Sequence, residues 1–93
     1  MTFSVIGIGL RLMAQWSAAG EYQKCLSLSR RLLEVDPCDE SLAEYFVLAT
    51  FELEGRVAAQ RALVDVGTRA ERELNESPDW LTRLSGQLQP ALN

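Results

Sequence analysis

The sequence predicts an all-α protein of about five helices, and three observations lead to this prediction. Apolar residues recur at spacings of three and four through most of the chain, which is the pattern of helices with one buried face. Glycine or proline turns separate these stretches, and two of the turns lie 35 residues apart. With 93 residues, 47% of them hydrophobic and 24% charged, the chain is expected to fold as one small domain over residues 1–93 with a thin core.

The first predicted helix runs from about Thr2 or Ile8 to Ala19. Its start is left open because Gly7 and Gly9 each disfavour a helix by about 1 kcal/mol relative to alanine. The apolar stripe of this helix consists of Phe3, Ile6, Leu10, Met13 and Trp16. Gly7-Ile8-Gly9 is interpreted as helix and not as a dinucleotide-binding loop, because no strand precedes it and no third glycine follows at the required place.

The second predicted helix runs from about Tyr22 to Val35 and is amphipathic. Its inward face contains Tyr22, Cys25, Leu26, Ser29, Leu32 and Leu33, and its outward face contains Gln23, Lys24, Arg30, Arg31 and Glu34. Asp36-Pro37 is expected to end this helix, because the residue before a proline is disfavoured in the helical region.

Four acidic residues, Asp36, Asp39, Glu40 and Glu44, cluster around the next turn. They indicate either a cation site or helix capping. The segment lacks the regular alternation of oxygen ligands that a calcium loop uses, so capping and compensation of the helix dipole are favoured and no metal is predicted. Asp39 is the expected N-cap, and a capping box of Ser41 and Glu44 is the alternative.

The third predicted helix, Leu42 to Leu53, is apolar around almost its whole circumference. A helix of this kind is packed on all sides, so it is expected to lie in the middle of the protein. Polar substitution at Phe46 or Ala49 is therefore expected to be more damaging than anywhere else in the chain.

The fourth predicted helix runs from about Arg56 to Leu74. Its apolar face consists of Ala59, Leu63, Val66, Ala70 and Leu74. A fifth helix, at about 78–89, is expected to begin at Ser77-Pro78-Asp79 with a cap, a proline at the first helical position and an early carboxylate. Its apolar side consists of Trp80, Leu81, Leu84 and Leu88, with Arg83 and Gln87 in solvent.

The turns at Gly20 and Gly55 relate two similar helix pairs, a spacing typical of stacked helical repeats. Gly20-Glu21-Tyr22, Cys25 and the segment from Leu33 to Pro37 resemble the second half of a tetratricopeptide repeat, and Glu40 to Gly55 looks like the first helix of another. This resemblance implies a right-handed stack of antiparallel helix pairs, with repeat 1 at about 6–38, repeat 2 at about 39–75 and a capping helix at about 78–89. It also implies that Gly67 occupies a small-residue position at which neighbouring helices approach closely.

The run from about Arg11 to Leu84 further resembles the bacterial transcriptional activator domain of SARP-type transcription factors. In that family a Glu-Leu-Gly segment and a Ser-Pro helix start commonly follow the second repeat, and here Glu73-Leu74-Asn75 and Ser77-Pro78 stand in their place. Asn75 occupies the position of the glycine, and the loop is shorter. The resemblance implies a regulatory protein–protein interaction module that mediates dimerisation or contact with other protein parts, while a separate winged helix binds DNA.

The tetratricopeptide resemblance also implies which residues would line the concave face, and we call this set the predicted trough. It consists of Leu10, Ala14, Ser17, Ser41, Glu44, Leu48, Phe51 and Glu52. An apolar trough with an acidic edge favours an apolar helix or segment that carries Arg or Lys. The alternative is that another helix of the parent protein fills it.

Composition argues against several other functions. A net charge of −4 and a pI near 4.7 disfavour nucleic-acid contact, and Arg30-Arg31 with Arg56, Arg61, Arg69 and Arg72 are interpreted as solvated helix faces, with a local basic stripe as the alternative. Cys25 and Cys38 lack a zinc-ligand spacing and the chain has no histidine, so structural thiols in a reducing cytoplasm are expected. The apolar opening, Met1 to Leu10, is too short for a membrane span and lacks the pattern of a signal peptide.

No catalytic motif is present in the sequence, which has no nucleophile elbow, no phosphate-binding loop and no carboxylate pair in an apolar setting. The chain is therefore expected not to be an enzyme and to need no cofactor. Two further hypotheses stay open beside the regulatory module: a stand-alone tetratricopeptide-type scaffold that binds a peptide in an unrelated pathway, and a subunit or inhibitor module of an enzyme.

Overall fold

The described part of the chain, residues 5–76 and 78–92, is all-α in a computed structural model, with side chains described through residue 84 and at Gly86. Five helices follow one another without a strand in this part. Their bounds are α1 (Val5–Ala18), α2 (Tyr22–Val35), α3 (Glu40–Glu54), α4 (Arg56–Leu74) and α5 (Asp79–Leu92). The predicted all-α class and the number of helices are confirmed.

The helix bounds agree closely with those predicted from the sequence. Helices α2 and α4 match their predicted bounds, whereas α3 begins two residues earlier and ends one residue later. Helix α1 is described from Val5 onward, so Gly7 and Gly9 both lie inside it, and the predicted start at Thr2 lies outside the described residues. Helix α5 continues three residues beyond its predicted end. The predicted cap Ser77 lies outside the described residues, and Pro78 directly precedes the helix rather than opening it.

Three residues with positive φ make the turns possible. Gly20 has φ 78° and Gly55 has φ 94°, in the left-handed region that glycine adopts without a side-chain penalty. Gly55 alone separates α3 from α4. Asn75 ends α4 with φ 57° and ψ 20°, the conformation in which asparagine most often replaces glycine. The asparagine at the expected glycine position is therefore compatible with the turn.

Capping decides where α3 begins. The side chain of Asp39 accepts a hydrogen bond from the Leu42 N–H at 3.0 Å, as expected of an N-cap. The alternative box of Ser41 and Glu44 is wrong, because Ser41 already lies inside the helix. Asp36 Oδ1 accepts a hydrogen bond from the Cys38 N–H at 3.3 Å, so an acidic side chain of this turn binds the turn's own backbone.

Helix α3 lies at the centre of the packing. It contacts α1, α2, α4 and α5, and consecutive helices also contact each other along the chain, whereas α2 and α4 do not pack on each other. The Cα atoms extend over 38 × 33 × 17 Å, which is only about two helices thick by the usual interaxial distance of 8–10 Å. Every helix therefore keeps at least one face toward solvent, and α3 keeps the least.

The core is formed by the residues that the helical spacing selects. Its fully buried members include Met13, Leu42, Ala43, Val47 and Ala59. The inward face predicted for α2 is confirmed, since all its members are buried except the half-buried Tyr22. Two predicted apolar positions are wrong: Leu53 is 41% exposed and Leu74 is 44% exposed. Helix α4 is four residues longer than α3, so its last turn extends beyond the helix that covers it.

Polar groups in the core are satisfied locally. The Cys25 thiol donates a hydrogen bond to the Met13 carbonyl at 3.3 Å, and the Ser29 hydroxyl donates one to the Leu26 carbonyl at 3.2 Å. The Thr50 hydroxyl donates to the Phe46 carbonyl at 2.8 Å. No buried side-chain nitrogen or oxygen in the described part lacks a partner. The described core therefore avoids the loss of stability that an unpaired buried polar atom causes.

Two glycines mark close helix approaches. A Cβ atom built on Gly9 of α1 would lie 2.4 Å from Leu32 Cδ1 of α2, and one built on Gly67 of α4 would lie 3.0 Å from Leu81 Cδ2 of α5. The close approach predicted at Gly67 is confirmed. Gly9, which the sequence shows only as a helix-weakening residue, is the place where α1 and α2 meet.

The central position of α3 leads to a first prediction. Ala49→Asp is expected to lower the free energy of unfolding by about 3 kcal/mol or more, because it buries a carboxylate without a partner. Gln60→Asp, at an exposed position within α4, is the matched control and is expected to cost less than about 1 kcal/mol. Urea unfolding followed by circular dichroism measures both. Equal losses would contradict the central position of α3.

A second prediction concerns Gly9. Gly9→Val is expected to destabilise the protein by about 1–3 kcal/mol, because the added methyl groups displace Leu32 and separate α1 from α2. Gly86→Val is the control, since a Cβ at Gly86 meets nothing within 4 Å. The control is expected to be neutral, because valine is slightly better than glycine in a helix. Thermal melts of both variants decide, and a neutral Gly9→Val would show that the α1–α2 contact yields freely.

Candidate partner-binding surfaces

The predicted trough is spread over α1 and α3, which pack on each other. Four of its members, Leu10, Ser17, Leu48 and Phe51, are half-buried, and the other four, Ala14, Ser41, Glu44 and Glu52, are exposed. Leu10 and Phe51 also pack against the core. Three of the four apolar members, Leu10, Leu48 and Phe51, are thus more buried than the two acidic members. The assignment of this set as a partner site stays a prediction.

A second concave surface lies between α2 and α4, and we call it the α2–α4 groove. It forms because both helices pack on α3 without packing on each other. Three adjoining cavities of about 170, 240 and 470 Å³ make up the groove. The apolar lining consists of Leu33, Pro37, Phe46, Val57, Ala58, Ala62 and Val66.

Phe46 of α3 forms the floor where the cavities meet. Its half-buried ring lines two of them, and the Arg30 guanidinium carbon lies 5.9 Å from the ring centroid. A cation over an aromatic face at this distance contributes about 0.5–1 kcal/mol at an exposed site. Phe46 is therefore accessible from the groove and half-buried, whereas Ala49 is buried.

The rim of the groove carries charges of both signs in equal number. Four arginines, Arg30, Arg61, Arg69 and Arg72, and four acids, Glu34, Glu54, Asp65 and Glu73, line the cavities. None of these eight side chains forms an ion pair within the described part of the chain. Their charges are consequently available to a ligand.

Helix α4 orders part of this rim as a ladder of alternating sign. Arg61, Asp65, Arg69 and Glu73 follow one another at intervals of four, so they lie along one face of the helix. The arginines of this ladder were interpreted from the sequence as part of a solvated helix face, with a local basic stripe as the alternative. The interval-of-four alternation is the signal in the sequence that could have identified the face, although it does not reveal that α2 stands opposite.

Helix α5 is fastened to the α2–α3 turn and to the start of α3. The Trp80 indole N–H donates a hydrogen bond to the Cys38 carbonyl at 3.1 Å. Arg83 Nη2 lies 2.6 Å from Oε1 and 2.7 Å from Oε2 of Glu40. The ion pair is largely exposed, so it contributes at most about 1 kcal/mol. These contacts join residues more than 40 positions apart in the sequence and hold α5 against the α2–α3 turn.

Both cysteines are free, and their surroundings make them poor nucleophiles. Burial raises the pKa of the Cys25 thiol. Partial burial, then the charges of Asp36 and Glu73, raise the pKa of the Cys38 thiol. Because the thiolate is the reactive form, both thiols are less reactive at neutral pH than a free cysteine.

The described residues also bear on two other kinds of site, a metal site and a membrane-spanning helix. No group of three or more Cys, Asp or Glu side chains in residues 5–76 and 78–92 is placed to hold a metal ion. Among the helices of this same part, none combines the length and the apolar content that crossing a membrane requires.

Comparison with known proteins finds no family model, no curated protein and no solved structure that matches this chain. The resemblance to tetratricopeptide repeats and to the bacterial transcriptional activator domain therefore stays a prediction. What can be said of a binding site depends on the chemistry of the surfaces described above.

A third prediction concerns the Cys38 thiol. Asp36→Asn removes a negative charge that raises the pKa of this thiol, and it retains the side-chain oxygen that accepts the Cys38 N–H. Alkylation of Cys38 at pH 8 is expected to accelerate roughly two- to fivefold, because more of the thiol is ionised. Mass spectrometry of iodoacetamide-treated protein separates Cys38 from Cys25. An unchanged rate in Asp36→Asn, with Asp65→Asn as the distant control, would contradict the charge effect.

Proposed function

We propose that this chain is a protein–protein interaction module that holds a peptide or helix of another polypeptide, and that it serves as a regulatory part of a bacterial transcriptional regulator. The first half of the proposal rests on one observation: the α2–α4 groove is open, has an apolar floor and carries unpaired charges of both signs on its rim. The second half rests on the resemblance to the activator domain of SARP-type factors.

The groove has the features of a protein-binding surface more than those of a small-molecule site. Its three cavities adjoin one another, and the largest of them runs along α4 from Val57 to Asp65. An aromatic floor with a guanidinium above it supplies the residue types that are enriched in energetically important interface positions. An elongated segment that covers Phe46 and pairs with the charged rim would fit this surface better than a compact ligand.

The alternating charges restrict what such a segment carries. Asp65 lies between Arg61 and Arg69 on the α4 ladder, so a partner with a single sign of charge meets repulsion at every second position. A segment with an apolar side and alternating acidic and basic residues is complementary to the rim. The free thiols support a reducing, cytoplasmic setting for this binding, and a homodimer is a second arrangement that the module could adopt.

A fourth prediction tests the groove. The double variant Asp65→Arg, Arg69→Asp inverts two steps of the ladder without changing the net charge. It is expected to weaken binding of the natural partner at least tenfold, about 1.4 kcal/mol, because both contacts become repulsive. Quantitative co-purification from the source cells identifies the partner with the unmodified chain, and calorimetry with that partner then measures each variant.

The controls separate the groove from the predicted trough. Glu44→Lys with Glu52→Lys alters the trough alone, and Gln60→Arg alters neither surface. Circular dichroism shows that each variant is folded. If the groove and trough variants both keep every partner at unchanged affinity, the proposed function is wrong. Loss in the trough variant alone would place the partner on the trough instead of the groove.

A further inference from the structure

Helix α1 exposes an apolar stripe that no described element covers. Val5 is 74% exposed, Ile8 is 50% exposed and Leu12 is 38% exposed. They follow one another at intervals of three and four, so they form one line along the helix, and Trp16 continues the line four residues later. Trp16 is half-buried against the core, so the exposed part of the line is Val5, Ile8 and Leu12. Single exposed apolar residues are ordinary, but a continuous exposed line is typical of an interaction surface.

Helix α2 extends this stripe into a two-helix surface. Leu28 is half-buried next to α1, since its Cδ2 would lie 3.5 Å from a Cβ built on Gly9. Val35, the last residue of α2, follows Leu28 by two helical turns on the same side of the helix and is 75% exposed. A cavity of about 320 Å³ is lined by Trp16 and Leu28 between the two helices. We call this surface the α1–α2 face and define it by Val5, Ile8, Leu12, Trp16, Leu28 and Val35.

The border of the α1–α2 face is basic. Lys24 and Arg31 line the same cavity as Trp16 and Leu28, and Arg11 follows Ile8 by three residues on α1. All three side chains are exposed. Glu21 pairs with Lys24 at 3.5 Å across an exposed contact, which screening by water makes weak.

Charge is distributed unevenly along the whole chain. Residues 1–35 contain four basic and two acidic residues, whereas residues 36–93 contain five basic and eleven acidic residues. The α1–α2 face is therefore a basic apolar surface on an acidic protein. This asymmetry identifies the sign of charge that the face attracts.

We propose that the α1–α2 face binds an amphipathic helix of another polypeptide, whose apolar residues recur at intervals of three and four and are flanked by Asp or Glu. The apolar line from Val5 to Trp16 is about 16 Å long, at 1.5 Å per residue, so it accommodates about three turns of the partner helix. This surface is separate from the α2–α4 groove, and the inference stands whether or not the groove binds a partner.

A second copy of this chain fits the face less well. A symmetric dimer brings the same surface of each copy together, so Lys24 and Arg31 of one copy would approach the basic border of the other. Like charges opposite each other in an interface disfavour association. The charge of the border therefore favours an acidic partner helix over self-association.

The experiment uses the full chain and two synthetic helical peptides of about 15 residues. Both peptides carry leucines at intervals of three and four; one carries flanking glutamates and the other flanking lysines. Fluorescence anisotropy is expected to show that the glutamate peptide binds at least tenfold more tightly, with affinity that falls as salt is raised. The direction is informative, because the net charge of −4 would by itself favour the lysine peptide.

Variants locate the binding on the face. Lys24→Glu with Arg31→Glu is expected to weaken the glutamate peptide at least tenfold and to strengthen the lysine peptide. The triple variant Arg56→Glu, Gln60→Glu, Thr68→Glu changes the net charge equally at exposed positions of α4 that line neither the α1–α2 face nor the α2–α4 groove, so it is expected to leave the peptide preference unchanged. Ile8→Ser, at an exposed position, is expected to weaken both peptides by removing apolar contact. Circular dichroism confirms that each variant is folded.

Five results overturn the inference. The first four are equal affinity for the two peptides, no binding of either, an equal effect of the double and the triple variant, and a concentration-dependent dimer in light scattering that Ile8→Ser abolishes. Tighter binding to phosphatidylserine vesicles than to the glutamate peptide would likewise replace the helix with a lipid surface. None of these results bears on the groove, whose test uses Asp65 and Arg69.

Discussion

The structure depends on covering α3. Leu42, Ala43 and Val47 of this helix are fully buried, and the side chains of a single neighbouring helix cannot enclose residues that point in several directions. Four helices therefore surround it, and small residues let them come close. Burying a leucine- or valine-sized side chain stabilises a fold by about 1.5–3 kcal/mol. Removing one neighbour of α3 would expose such side chains to water and would therefore remove a large share of the free energy of unfolding of a small domain.

The α2–α4 groove follows from the same constraint. Helices α2 and α4 both pack on α3 and not on each other, so a gap remains between them. The facing margins carry arginines and carboxylates, which are stable in water and have no ion-pair partner across the gap. Phe46 lies at the bottom of this gap because an α3 apolar on almost all sides also presents a side chain there.

The sequence predicts elements better than it predicts the spaces between them. The bounds of α2 and α4 were predictable because Pro37, Gly55 and Asn75 end helices by backbone chemistry alone. The role of Gly9 was not, because helix propensity records only its cost, whereas its benefit depends on Leu32 of another helix. The groove was not predicted for a related reason: periodicity describes one helix at a time, and the distance between α2 and α4 is set by α3.

Helix α2 borders both the α2–α4 groove and the α1–α2 face, and the charges of these two surfaces would select different partners. On its α1 side Lys24 and Arg31 give a border of one sign, so binding there discriminates by the net charge of the partner. On its α4 side Arg30 belongs to a rim with four charges of each sign. Binding there would discriminate by the order of charges along the partner and not by the partner's net charge. A single partner segment would not satisfy both conditions, because the acidic flanks that suit the first surface would meet Asp65 and Glu73 on the second. The two surfaces therefore suit different segments, and α2 is the element through which a single chain would hold both.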